Sequence, residues 1–349
     1  MLLSLKSLSI AIALLPLVVA NIQDIQTRDN TIERRVYFLF SASASIINVP
    51  CFELADPVIA INPTDANFGV SAVAPGRFVT SADGTQIFAE ARGDPSKPAI
   101  VFIHGFGIGA MAFNDIFNDP VWLARAYLVR YDTRGHGRSD KPTNAAAWVS
   151  QRLAQDFDAV VQSYSLNKPF VLGWSFGAAN VADILSFHPP SYISGIIYDA
   201  GLPYLAALPN VGSPAGFAVV PGLNQTTNVT QFQTSYIEFI NLCHPALEWN
   251  FYLGCLGDGV VQPRIILDLG FTRTQNSTGL LQAGTTGALP LLAIFGGDDK
   301  VVLKQGVLDA IAGWQNLTVV TLPDAEHFTW ISRPLLFRAT VLNWIDQHA

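Results

Sequence analysis

Long apolar runs, charge and cysteine are all scarce in this chain, and each shortage closes off a class of function. The apolar run Leu8 to Val19 covers about a dozen residues, short of the roughly 17 that a helix needs to cross hydrocarbon. Charged residues make up only 13% of the 349, and 20 basic against 27 acidic residues give a formal charge of −7. No cluster of Lys and Arg is available to neutralise phosphates, which argues against nucleic acid as a partner. The three cysteines, Cys51, Cys243 and Cys255, make nothing like a metal-binding set. No glycine-rich stretch has the P-loop lysine or the full dinucleotide spacing, so no nucleotide is expected.

What is present is apolar residue in quantity: half of the chain, enough for one large domain with an insertion or for two domains. Lys6, the run that follows it and the small residues Val18-Val-Ala20 read as a signal peptide over residues 1–20, and hence as a secreted protein. Asn224, Asn228, Asn276 and Asn316 each begin an N-glycan acceptor tripeptide, and three of these fall between 224 and 278, as in an exposed segment. An oxidising compartment would favour a Cys243–Cys255 disulfide, leaving Cys51 free or paired with one of them instead.

Residues 21–76 form an extension of uncertain structure, repeatedly interrupted by proline. From Phe78 onward the texture changes. Asp83-Gly84 marks a tight turn between two short strands. Apolar strands are then expected at Ala99–His104, Tyr127–Tyr131, Phe170–Gly173, Ile193–Tyr198, Leu291–Phe295 and Thr318–Leu322. Helices are expected between them: Ala147–Ser163, with Trp148, Leu153, Phe157 and Val160 toward one face, Ala178–Phe187, and a closing one at Leu335–Ile345. Continuous apolar strands separated by amphipathic helices predict an α/β protein whose parallel sheet is covered on both faces. The core divides into 77–200 and 290–349, and the aromatic- and proline-rich stretch 201–289 between them reads as a lid or cap.

Gly173-Trp-Ser-Phe-Gly177 places Ser175 where an apolar strand gives way to a helix. The glycines let backbones approach a tight turn, and the helix that starts there aims N–H groups at the space in front of the serine. A serine hydroxyl needs a base. Of six histidines, His327 follows the last core strand and is the best placed; His136 is read as holding its own loop, and His104 ends the first major strand. An imidazole in turn needs a carboxylate, and Gly296-Gly-Asp-Asp299 offers Asp298 and Asp299, which spacing alone does not separate. The oxyanion donors would be the N–H of Phe176 and, from the loop His104-Gly-Phe-Gly107, that of Phe106.

With Tyr131-Asp-Thr-Arg-Gly-His-Gly-Arg-Ser139, these pieces resemble the α/β-hydrolase superfamily, in the branch of esterases, lipase-like enzymes and cofactor-free haloperoxidases. The resemblance spans about residues 78–349, except for the insert, and implies a mostly parallel central sheet flanked by helices with a lid insertion. It makes Ser175 the nucleophile, His327 the base, Asp299 rather than Asp298 the acid, and Phe106 and Phe176 the oxyanion donors. It assigns Asp132 and Arg134 to a structural loop. Ala178 departs from a second glycine often found there. No metal or organic cofactor is implied. The expected function is hydrolysis of a carboxylic ester of an uncharged or lipophilic small molecule through an acyl-enzyme. Lactone opening, acyl transfer, perhydrolysis, amide hydrolysis and a non-catalytic binding role stand as alternatives.

Overall fold

A computed structural model of the chain describes residues 18–26, 32–40 and 76–349, in two units, residues 1–69 and 70–349. In the first unit, strands β1 (Val18–Gln26) and β2 (Ile32–Phe40) pair antiparallel, with Val18 opposite Phe40. Most of the expected signal peptide, and Cys51, lie outside the described residues.

The second unit is built on an eight-stranded sheet. Its strands are β3 (Arg77–Thr80), β4 (Gln86–Arg92), β5 (Ala99–Ile103), β6 (Tyr127–Tyr131), β7 (Phe170–Trp174), β8 (Gly195–Asp199), β9 (Leu291–Gly296) and β10 (Leu317–Leu322). They lie in the order β10-β9-β8-β7-β5-β6-β4-β3; β3 and β4 run antiparallel to their neighbours and the remaining strands are mutually parallel. β7 and β8 are buried at every position, because helices cover both faces and only continuous apolar sequence suits such a strand. This is the mostly parallel, helix-flanked sheet expected from the alternation of strands and helices. The β3–β4 turn closes where Asp83-Gly84 predicts it, with Gly84 at φ +86° and its N–H donating to Ser81 O at 2.9 Å.

From β5 the chain first passes to β6 on one side, and later returns to β7 on the other. Connections that leave in opposite directions open a crevice at the carboxyl ends of these two strands. Helix α1 (Ser150–Ser163) covers one face with Leu153, Ala154, Phe157, Val160 and Val161, the stripe of an amphipathic helix. Trp148 does not share that face. It sits in a separate 3₁₀ turn, Ala145–Trp148, and packs with Ala147 against Ile266 of the insert. The reason is the Asn144 side chain, which accepts from Ala147 N–H and caps the turn before α1 begins. After β7, a 3₁₀ turn at Ser175–Ala179 leads into α2 (Asn180–Leu185).

Between β8 and β9 the chain is helical: α3 (Pro214–Leu223), α4 (Val229–Cys243), α5 (Trp249–Val261), α6 (Ile266–Phe271) and α7 (Thr278–Thr285) are its main elements. Start signals are local: Ser213 caps α3 ahead of Pro214, and Asn228 Oδ1 accepts from Gln231 N–H at 2.9 Å to begin α4. The closing helix is α8 (Pro334–Asp346). No helix among the described residues is long and apolar enough to cross a membrane.

The expected Cys243–Cys255 disulfide does not form. Both are free thiols with no exposed surface, packed into the main apolar core. There they act as small hydrophobic side chains. Burial pushes both thiols up, that of Cys255 to about 12, which suppresses the thiolate that oxidation requires.

Candidate active site

Ser175 sits at φ +54°, a left-handed conformation that a residue with a side chain adopts at a cost of about 1–3 kcal/mol. Two glycines allow the turn. A Cβ on Gly173 would lie 2.4 Å from Ala178 Cα, and one on Gly177 would lie 2.4 Å from the carbonyl oxygens of Ile103 and His104. The elbow is therefore wedged against the end of β5, where only bare backbone fits. Leu202 N–H donates to Ser175 O at 2.9 Å and ties the turn to the chain leaving β8.

His327 and Asp299 meet on the loops after β10 and β9. His327 Nδ1 donates to Asp299 Oδ2 at 2.8 Å, both side chains almost fully buried. The other carboxylate oxygen, Oδ1, accepts from the N–H groups of Val301 and Val302 at 2.7 and 3.0 Å. Asp298, by contrast, is exposed, and its backbone N–H donates to Ala325 O at 2.9 Å. Of the two adjacent carboxylates, only Asp299 reaches the histidine. The acid and histidine loops touch through Gly296, where a Cβ would lie 2.4 Å from Ala325 O. Trp174, next to the serine, donates its indole N–H to His327 O at 2.9 Å and lies 5.4 Å from the imidazole, centroid to centroid. With Nδ1 donating, Nε2 carries the lone pair; it is buried and has no hydrogen-bond partner among the described residues.

The loop after β5 lies across the serine. A Cβ on Gly105 would come within 3.1 Å of Ser175 Cβ, and the rings of Phe106 and Phe176 stand edge to face at 6.1 Å. His104 fixes the start of this loop. Its Nε2 accepts from Thr133 N–H at 2.9 Å, so Nδ1 carries the proton and donates to Gly105 O at 2.8 Å. The carbonyl of the Gly105–Phe106 peptide is thus held, which turns the N–H of Phe106 the opposite way. Burial lowers the pKa of His104 and, more strongly, that of His136 beside it, keeping both rings neutral. The structural loop expected around Asp132 and Arg134 is anchored as such. Arg134 is fully buried and donates to both oxygens of Asp156 at 2.7 and 2.6 Å, while Asp132 Oδ1 accepts from Ala110 N–H at 2.7 Å.

Ser175 opens into a cavity of about 180 Å³, and it is the one polar residue among the described residues that line it. The core contributes Phe106, Phe176 and Val301; the insert contributes Leu208, Phe217 and Phe239, among others. Of the sequon asparagines, Asn228, Asn276 and Asn316 are exposed, and Asn224 is half-buried, donating to Asp268 Oδ2 at 2.7 Å.

Several neighbours of the site escape a reading of the sequence. Asp199, at the end of β8, is fully buried with Thr329 Oγ1 2.7 and 2.8 Å from its two oxygens, and burial pushes its carboxyl well up. Tyr236, Asp258 and Gln262 come from the insert and reach the loop after β5 or its support. The one available signal was that Asp258 is the sole charge in the otherwise uncharged helix α5.

Comparison with known proteins agrees with the fold. Solved structures with the same fold include a Burkholderia cenocepacia protein assigned as an aryl esterase, with TM-score 0.71 and 23% identity over 78% of this chain and 98% of that one. Another is the esterase RhEst1 from Rhodococcus sp. ECU1013, with TM-score 0.69 and 22% identity over 78% and 99%. Among characterised sequences, "Probable oxidoreductase EphD" of Mycobacterium tuberculosis is 36% identical over 110 residues, 31% of this chain and 18% of that protein. The non-heme chloroperoxidase of Streptomyces lividans is 29% identical over 127 residues, 36% of this chain and 44% of that protein. The chain thus matches less than half the length of either relative. The model of the alpha/beta hydrolase fold family matches residues 98–334, and the chain belongs to that family.

Proposed function

We propose that the chain is a serine esterase for small lipophilic acyl esters, with Ser175 as nucleophile, His327 as base and Asp299 as the acid that orients it. One observation carries this reading: among the described residues a serine in a left-handed turn is the only polar residue on an apolar cavity, and its neighbour Trp174 bonds His327, whose buried ring is paired with Asp299 and leaves Nε2 without a partner there.

In this mechanism Nε2 of His327 takes the Ser175 proton as Oγ attacks the ester carbonyl. Asp299 stabilises the imidazolium that results. The N–H groups of Phe106 and Phe176 receive the developing oxyanion, at about 3 kcal/mol per donor. Collapse of the tetrahedral intermediate breaks the bond to the alkoxy group, which leaves as alcohol with the proton from His327. Water then loses a proton to Nε2, attacks the acyl-enzyme, and frees the acid and Ser175. The acyl chain occupies the apolar cavity, where a charged or heavily hydroxylated group would forfeit its hydration without a partner. The same reading takes the protein to be secreted, on the strength of its apolar start and four sequons.

The test is hydrolysis of p-nitrophenyl esters of increasing acyl length by the wild type and by Ser175→Ala. Turnover is expected to rise with chain length to an optimum and then fall, and to drop by about 10⁴-fold or more in the variant. Folded wild-type protein that neither hydrolyses any ester nor is labelled at Ser175 by an organophosphonate would overturn the proposal.

A further inference from the structure

The oxyanion loop has a mechanical problem. An oxyanion hole works because its donors are aimed before the reaction begins. Yet the stretch from His104 to Ala110 contains Gly105, Gly107 and Gly109, the residue type with the most backbone freedom to lose. Something outside the loop has to restrain it, and the contacts show what does.

Tyr236, on α4, donates its hydroxyl to Gly107 O at 2.5 Å. Asp258, on α5, accepts from Gly109 N–H through Oδ2 at 2.7 Å. Gln262, just past the end of α5, donates through Nε2 to His136 Nε2 at 2.9 Å. His136 is the third link in a buried chain. Its Nδ1 lies 3.0 Å from Thr133 Oγ1, and the Thr133 backbone N–H in turn bonds His104, whose Nδ1 holds the Gly105 carbonyl. The His136 ring also stands edge-on to the Phe106 ring at 5.8 Å.

The fit around these bonds is close. Gly259 of α5 faces Tyr236 so tightly that a Cβ would lie 2.1 Å from its ring, and a Cβ on Gly109 would lie 3.1 Å from Asp258 Oδ2. A side chain at Gly259 would displace the Tyr236 ring, and one at Gly109 would crowd the carboxylates of Asp132 and Asp258. Asp258 is the only charge on α5, and its helix otherwise needs no carboxylate. Burial of such a group is unfavourable unless it is bonded, and the bond that it makes is to the loop.

From this we infer that Tyr236, Asp258 and Gln262 of the insert are positioning residues that hold the Phe106 N–H in place, so that the insert is a fixed part of the oxyanion hole as well as a cover. The inference rests on the esterase reading for its catalytic consequence, but its structural half stands without it.

The experiment compares wild type, Asp258→Ala, Asp258→Asn and Tyr236→Phe by steady-state kinetics on a p-nitrophenyl ester and by hydrogen–deuterium exchange of peptides covering residues 105–110. Asp258→Ala is expected to lower kcat by about tenfold with KM within about twofold, because the lost interaction serves the transition state. Exchange in the loop is expected to rise by about tenfold in the same variant. Asp258→Asn keeps an oxygen that accepts from Gly109 N–H, so kcat and exchange are both expected to recover to within about threefold of wild type. Tyr236→Phe, which removes one hydroxyl, supplies the same two readouts if Asp258→Ala does not fold. Unchanged loop exchange in Asp258→Ala, or an Asn variant no better than the Ala one, overturns the inference. A wild type that turns over no ester while exchange still changes as expected would refute the esterase reading and leave the positioning role standing.

Discussion

In the core, Ser175 at the cavity and the paired Asp299 and His327 stand on turns and loops whose shape depends on backbone packed against backbone. On the insert side, Leu208, Phe217, Val220, Leu223 and Phe239 line the wall with apolar side chains. The glycines show how differently the two sides are built. A Cβ on Gly173, Gly177 or Gly296 would lie 2.4 Å from main-chain atoms, whereas one on Gly216, which lines the cavity from α3, meets nothing closer than 3.4 Å. Those three core positions have no room for even a methyl group, whereas Gly216 would accept one at ordinary contact distance. The elbow is therefore held by main-chain contacts, while the cavity wall opposite is made of side chains. The insert departs from this division at Tyr236, Asp258 and Gln262, where it grips the core by polar bonds.

The sharpest way to break the comparison is at the acid. Asp299→Asn is expected to lower kcat by about 10³–10⁴-fold, since the amide no longer stabilises the charged imidazole. The exposed neighbour changed the same way, Asp298→Asn, is expected to alter kcat by about twofold or less. Steady-state kinetics of the two variants decide it, and equal effects would mean that the loop geometry has been misread.

A second test asks whether the polar grip has a stability signature. Burial, with the Asp132 charge nearby, raises the Asp258 carboxyl from 3.8 to about 6, against the opposing pull of Gly109 N–H, Arg138 and Lys141. Glu90 and Arg130 line the same polar cavity. Between these two values the folded state keeps a proton that the unfolded chain has lost. The stability linked to this group is thus full below about pH 4 and is lost as pH rises through about 6. Asp258→Asn escapes that loss. Denaturant unfolding should find it more stable than wild type at pH 8, by up to about 3 kcal/mol, with the advantage gone near pH 4.

The glycines supply the remaining pair. Gly177→Ala is expected to destabilise by about 1–3 kcal/mol, because the end of β5 cannot retreat, while Gly216→Ala should stay within about 0.5 kcal/mol of wild type. Thermal unfolding measures both. Gly216→Leu places a larger side chain in the cavity and is expected to shift preference toward shorter acyl esters by about tenfold in kcat/KM, at little cost to the best short substrate.

Much of this site could be read in the sequence because its signals are local. Gly173 and Gly177 flank Ser175 within five residues, and the elbow follows a strand whose apolar run is itself a local pattern. The choice between Asp298 and Asp299 was different. It turns on a single step in a tight loop, and only the reach of Oδ2 to His327 separates them. The pairing expected of Cys243 and Cys255 failed for a related reason: composition and compartment say nothing about which way two thiols point when helices pack. Trp148 was placed on the wrong face because Asn144 starts a separate turn that helical periodicity does not register.

By itself the sequence determined the strands and helices, the parallel sheet, and the strand-to-helix turn at Ser175, since apolar periodicity and glycine at a strained turn act over a few residues. The tertiary structure alone decided which carboxylate bonds the histidine, that Cys243 and Cys255 stay unpaired, and that Asp258, Tyr236 and Gln262 meet a loop 149 residues from Asp258, or its support. Those outcomes depend on contacts between segments far apart in the chain, where the sum of apolar packing fixes the approach and the polar groups bond to whatever that approach brings within reach.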